Sequence, residues 1–140
     1  KYVAKSASVF HALCSLDIAQ ELSARREGPP LDVLIEVNVA GEDTKSGIAP
    51  AELPSLCAEV AKLPGLRLTG LMTMPPLPDS DEHWRPDANR PHFAKLRNLA
   101  QSLGLRELSM GTTSDYEVAI EEGATIVRVG RSIFGARLHP

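Results

Sequence analysis

The residue of this 140-residue chain whose chemistry is hardest to place is Arg128, in the middle of the apolar run ATIVRVG (124–130). A guanidinium inside a strand must meet a partner, because an unpaired buried charge is costly. Two answers follow from the residues alone. Arg128 could pair with an interior carboxylate such as Glu36, which is also embedded in an apolar strand, or it could face a ligand at the strand's end. Beside it stand two candidate anion sites. In SMGTTSDYEVAIEEG (109–123), Gly111 allows close backbone approach, Thr113 offers a hydroxyl, and Ser114 followed by Glu117 matches a capping box that starts a helix at Ser114. In Gly130-Arg131-Ser132, a strand ends in glycine and opens a helix. Each segment alone reads more simply as a cap or a turn. Together, two such ends on consecutive strands could grip one phosphate.

The elements that must position these residues alternate. Val9–Leu13 (VFHAL) reads as a strand, and Ser15 is placed to cap a helix that runs to about Arg26, with Gly28 as its stop. LDVLIEVNV (31–39) is a strand rich in β-branched residues, and the polar loop GEDTKSG (41–47) follows it. Residues 51–63 form a helix, LRLTGLM (66–72) a third strand, and 75–91, with five prolines, an irregular loop. Phe93, Leu96, Leu99, Ala100 and Leu103 share a helical face. LRELSM (105–110) and ATIVRVG supply the fourth and fifth strands, with a short helix over about 115–122 between them. Strands alternating with helices imply parallel pairing and an α/β class. An open doubly wound sheet and part of a (β/α)8 barrel both fit this pattern. Five strands in 140 residues give about 28 residues per unit, short of the ~250 of a complete barrel.

Composition excludes several functions. A net charge of −3 with scattered basic residues gives no nucleic-acid footprint. No apolar run reaches the ~20 residues of a membrane span. Cys14 and Cys57 lack CxxC spacing and read as reduced thiols, which points to the cytoplasm. His11, His83, His92 and His139 show no metal-ligand spacing, so no metal is expected. Lys45 in the GEDTKSG loop could be catalytic, although a solvated loop charge is commoner.

The segments VLIEVNVAGEDTKSGI, LPGLRLTGLMTMPP, LSMGTTSDYEVAIEEGAT and VRVGRSIFGAR, in this order, closely resemble the pyridoxal phosphate homeostasis proteins (the YggS or PROSC type). VFHALCSLDIAQELSARR resembles the same family's strand-and-helix segment. The resemblance implies a (β/α)8 TIM barrel of the alanine racemase N-terminal domain type, here a partial barrel covering about strands 4–8. It implies one PLP-binding barrel domain over 1–140, with pyridoxal 5′-phosphate (PLP) at the C-terminal mouth. Carried over by motif, Thr113 takes the phosphate-binding serine's position and Arg128 the arginine facing the pyridine nitrogen. Gly130 and Arg131 offer backbone N–H groups to the phosphate, with Gly111 and Ser114 beside them. Asn38, Lys45 and Met72 match positions near the mouth.

The family's Schiff-base lysine, in an "AVSK"-like segment of its first strand, has no counterpart in this chain. That implies a truncated product, or a barrel whose remainder is supplied elsewhere, with two exposed sheet edges. The resemblance implies a non-catalytic carrier in intracellular PLP homeostasis, with PLP-dependent apo-enzymes as candidate recipients. A PLP-dependent racemase-like enzyme is the runner-up; it needs a second acid–base tyrosine, and only Tyr2 and Tyr116 are available. A fragment retaining only the phosphate cup is the third reading.

Overall fold

A computed structural model describes residues 2–42, 46–76 and 85–135. Its order is α1 (Tyr2–Ser6), β1 (Val9–Leu13), α2 (Leu16–Arg25), β2 (Leu31–Glu36), α3 (Leu53–Val60), β3 (Leu66–Met72), α4 (Arg90–Ser102), β4 (Glu107–Thr112), α5 (Tyr116–Glu121), β5 (Ile126–Arg128) and α6 (Arg131–Phe134). Short 3-10 turns at Pro50–Glu52 and Pro86–Asn89 lead into α3 and α4. Ser15 caps α2 by accepting the Ile18 N–H. The prolines at Pro54 and Pro91 sit in the first turns of their helices, where a missing N–H costs nothing.

The five strands among the described residues are all parallel and lie in chain order, β1-β2-β3-β4-β5. A doubly wound sheet reverses its strand order at a switch point. This sheet never does, so the partial-barrel alternative is the correct one. The convex face carries the core: Leu31, Val33, Ile35 and Val37 of the β2 region pack with Leu53, Leu56 and Val60 of α3 and Phe93, Leu96 and Ala100 of α4. Each of these larger side chains, Ala100 apart, contributes roughly 1.5–3 kcal/mol by leaving water.

The other face of the sheet is concave. Leu34, Glu36, Met72 and Ser109 are all buried although they stand outside that core, and Glu36, Met72 and Ser109 are register partners across β2, β3 and β4. His11 on β1 reaches Ser109 on β4 with a 2.9 Å hydrogen bond. In a flat sheet those strands would stand about 14 Å apart, three strand spacings, too far for this pair to meet. The bond requires a sheet curled as a barrel wall. Register shifts help to curl it, including one between β4 and β5 that sets where Arg128 falls.

Candidate functional site at the mouth of the sheet

The C-terminal ends of β3, β4 and β5 converge on Arg128. Its Nη1 donates to Ser109 Oγ at 2.5 Å and its Nη2 to the Thr73 carbonyl at 2.9 Å, with the Met74 sulfur as a further Nη2 contact. A guanidinium carries five N–H donors. The Nε–H and one Nη1–H have no partner among the described residues. Nor has Arg128 an ion pair there: Glu36 instead accepts the Ser46 hydroxyl at 2.6 Å, so no direct Arg128–Glu36 salt bridge forms. Burial pulls the Arg128 guanidinium below its ordinary value, while the charges of Asp115 and Glu36 oppose that pull at a distance. A half-buried cation with open donors and no contacting carboxylate is suited to an acceptor from outside the chain.

Thr113 and Gly130 are brought together. The Gly130 N–H donates to Thr113 Oγ1 at 3.2 Å, which joins the two strand ends read as one anion cup. Because Thr113 accepts there, its own hydroxyl proton is free to be donated elsewhere. A Cβ built on Gly130 would meet nothing within 4 Å, so this end of the cup opens on empty space. Arg131 is exposed just beyond it.

Gly111 has a different role from the one its position suggested. At φ +90° a Cβ there would fall 2.5 Å from Ala119 Cβ and 3.0 Å from Tyr116 Cα. Its bare Cα admits α5 rather than a ligand. Ser114 does not start α5, which corrects the capping-box reading. The N-cap is Asp115, and no side chain caps the helix. The Asp115 carboxylate turns back to accept the Thr112 N–H at 2.7 Å and the Thr112 hydroxyl at 3.2 Å, and its other oxygen takes Asn89 Nδ2 at 2.7 Å. Ser114 makes no side-chain hydrogen bond among the described residues. Buried Asp115 therefore fixes the turn that carries Thr113 and ties it to the start of α4.

Met72 is buried between Glu36 and Ser109 in register, on the concave face and close beneath Arg128's partners. Asn38 spends its side chain on its own loop: Oδ1 accepts the Gly41 and Glu42 N–H groups, and Nδ2 donates to the Glu42 carbonyl. Lys45, His83 and His139 lie outside the described residues. Tyr2 is 84% exposed on α1, and the Tyr116 hydroxyl meets Glu117, so neither is spent on the Arg128 cluster. No group of three His, Cys, Asp or Glu among the described residues could hold a metal ion. No helix among them is long and apolar enough to cross a membrane.

Residue reading alone missed Ser109, His11, Thr73 and Asp115. A small polar residue in the buried strand LRELSM, and a histidine inside VFHAL, were the available signals.

The sequence matches the family model described as "Alanine racemase, N-terminal domain" over residues 2–138. The chain belongs to that family. Among solved structures, this chain is similar to PipY of Synechococcus elongatus PCC7942, described both without PLP and with PLP bound; the form without it superposes at a TM-score of 0.82 and 28% identity, over 95% of this chain and 64% of PipY. Among curated relatives, the pyridoxal phosphate homeostasis protein of Aquifex aeolicus is 43% identical over 98% of this chain and 61% of its own length. The protein of that name from Pseudomonas aeruginosa is 49% identical over 91% of this chain and 55% of its own. The resemblance read from the motifs thus extends over most of the chain, and the fold is a five-strand part of the alanine racemase N-terminal barrel. The chain spans less than two thirds of the length of each of these relatives.

Proposed function

We propose that this chain binds PLP at the C-terminal mouth of its sheet and serves cytoplasmic PLP homeostasis as a carrier without turnover of its own, 1–140 acting as one partial barrel domain. The observation that carries the reading is Arg128: half-buried, free of any ion pair among the described residues, and left with two open donors beside the Thr113–Gly130 cup. The PLP named for PipY and the name borne by the curated relatives support it.

The residues present fit the group. When bound, PLP supplies an electrophilic aldehyde and a pyridine ring that can act as an electron sink. Arg128 keeps its protons under all ordinary conditions, so it donates to a ring nitrogen that carries none. That arrangement leaves the ring a poor electron sink, which suits holding the cofactor rather than transforming amino acids. The Thr113 hydroxyl and the backbone N–H of Arg131 serve the phosphate; the Gly130 N–H, expected to do so, is spent on Thr113 Oγ1. Ser109 and Thr73 fix the guanidinium, and Met72 supplies apolar packing. A racemase needs a second acid–base group, and neither tyrosine is placed with Arg128. PLP-dependent apo-enzymes are the proposed recipients.

Titrating the chain with PLP and following absorbance tests this. Saturable binding is expected, without a borohydride-reducible covalent adduct, and Arg128→Ala should weaken it by about 10–100-fold, the worth of one or two hydrogen bonds from a charged donor. Unchanged affinity in Arg128→Ala would sink the assignment. A stoichiometric adduct at Lys45 would restore a catalytic role to the GEDTKSG loop.

A further inference from the structure

The bonds behind Arg128 have a direction. A guanidinium only donates, so Ser109 Oγ is the acceptor in its bond to Arg128. Ser109 is fully buried, and its one proton needs an acceptor. Among the described residues, the only candidate in contact is His11 Nδ1, 2.9 Å away. If His11 Nδ1 carried a proton instead, the serine proton would be stranded in the interior, at the cost of an unsatisfied buried donor. One arrangement leaves no serine proton stranded: Arg128 donates to Ser109, Ser109 donates to His11 Nδ1, and the histidine proton sits on Nε2. The chain of bonds runs from β5 through β4 to β1.

We propose that neutral His11 is a positioning residue for the ligand site, acting through Ser109 to hold Arg128 with its open donors available, and that protonating His11 reverses the Ser109 bond and loosens that grip. The inference rests on the reading of Arg128 as the ligand's anchor. Protonation puts a proton on Nδ1, turns the serine hydroxyl away from it, and sets a second positive charge against the guanidinium. Burial and, after it, the Arg128 charge both hold His11 below the ordinary histidine value. Among the described residues, the carboxylates acting on Arg128 are Glu36 from β2 and Asp115 from the β4–α5 turn. β3 contributes Met72, which carries no charge. Acid therefore weakens ligand holding as pH falls through the His11 titration.

Two measurements on the whole chain test this. Long-range 1H–15N spectra of the ligand-free protein should show His11 as the Nε2–H tautomer, titrating below the ordinary histidine range. Finding the Nδ1–H tautomer would overturn the relay. PLP affinity should then be followed against pH for the wild type and His11→Asn, whose amide oxygen can accept the Ser109 proton but does not titrate. One pH unit below the His11 midpoint, the wild type should lose up to about tenfold in affinity beyond any loss in His11→Asn, the fraction of neutral histidine setting that limit. Superimposable pH curves for the two proteins would overturn the positioning role. If neither protein binds PLP at any pH, the proposed function fails, and the tautomer still decides the relay.

Discussion

The two ends of the sheet treat an arginine in opposite ways. At the base, Arg67 near the start of β3 meets Asp32 of β2 with two parallel hydrogen bonds, at 2.5 and 2.8 Å, and its side chain remains 67% exposed. At the mouth, Arg128 is half-buried, yet its protein partners are a hydroxyl, a carbonyl and a sulfur. If stability alone set the pairing, the carboxylate would stand beside the buried arginine, where an uncompensated charge costs most. The chain does the reverse. The solvated cation has its full partner, and the desolvated one is held in place by neutral acceptors with donors left open. That inversion is what the proposed ligand site at the mouth requires: stability given up where a ligand is to be held.

The comparison can be broken most sharply at the packing that sets the mouth. Gly111→Ala forces a Cβ to within 2.5 Å of Ala119 at a positive φ, so it should cost about 2–4 kcal/mol in urea unfolding and displace the Thr113 turn. A near-neutral result would mean that α5 yields easily and does not fix the cup. Arg128→Met comes next. Replacing a desolvated, unpaired charge with an apolar chain of similar length should leave unfolding stability within about 1 kcal/mol of the wild type, or raise it, while PLP binding falls. A large loss of stability would make Arg128 a structural residue and erase the contrast. Arg67→Ala should do least: its exposed pair is screened by water and salt, so the unfolding midpoint and PLP affinity should match the wild type within error. A clear drop in PLP affinity in that variant would show that the two ends of the sheet are coupled.

Much of the architecture was legible because local rules act on neighbouring residues. Val9–Leu13 and Leu66–Met72 are strands with the boundaries their composition indicates, and Ser15 caps α2 through its own hydroxyl. The helical face of Phe93, Leu96 and Ala100 is the one buried against the sheet. The capping box at Ser114 failed for an equally local reason joined to a distant one. The next residue, Asp115, is a stronger acceptor, takes the Thr112 N–H, and is held by Asn89, 26 positions away. Gly111 was read as room for a ligand, but the room is filled by α5, which no spacing rule reveals.

The order of strands and helices, the arginine in the fifth strand, and a glycine near the end of each of the fourth and fifth strands are legible in the residues themselves. Those follow from backbone periodicity and from turn chemistry, which depend on residues a few positions apart. The partners of Arg128 come from the folded sheet alone. Glu36 was as plausible as any, yet the sheet's curvature gives Arg128 the hydroxyl of Ser109 and gives that hydroxyl His11, 98 residues from Ser109. Curvature accumulates from strand twist and register shifts over the whole sheet, so the environment of a single inward-facing side chain is a property of all five strands together.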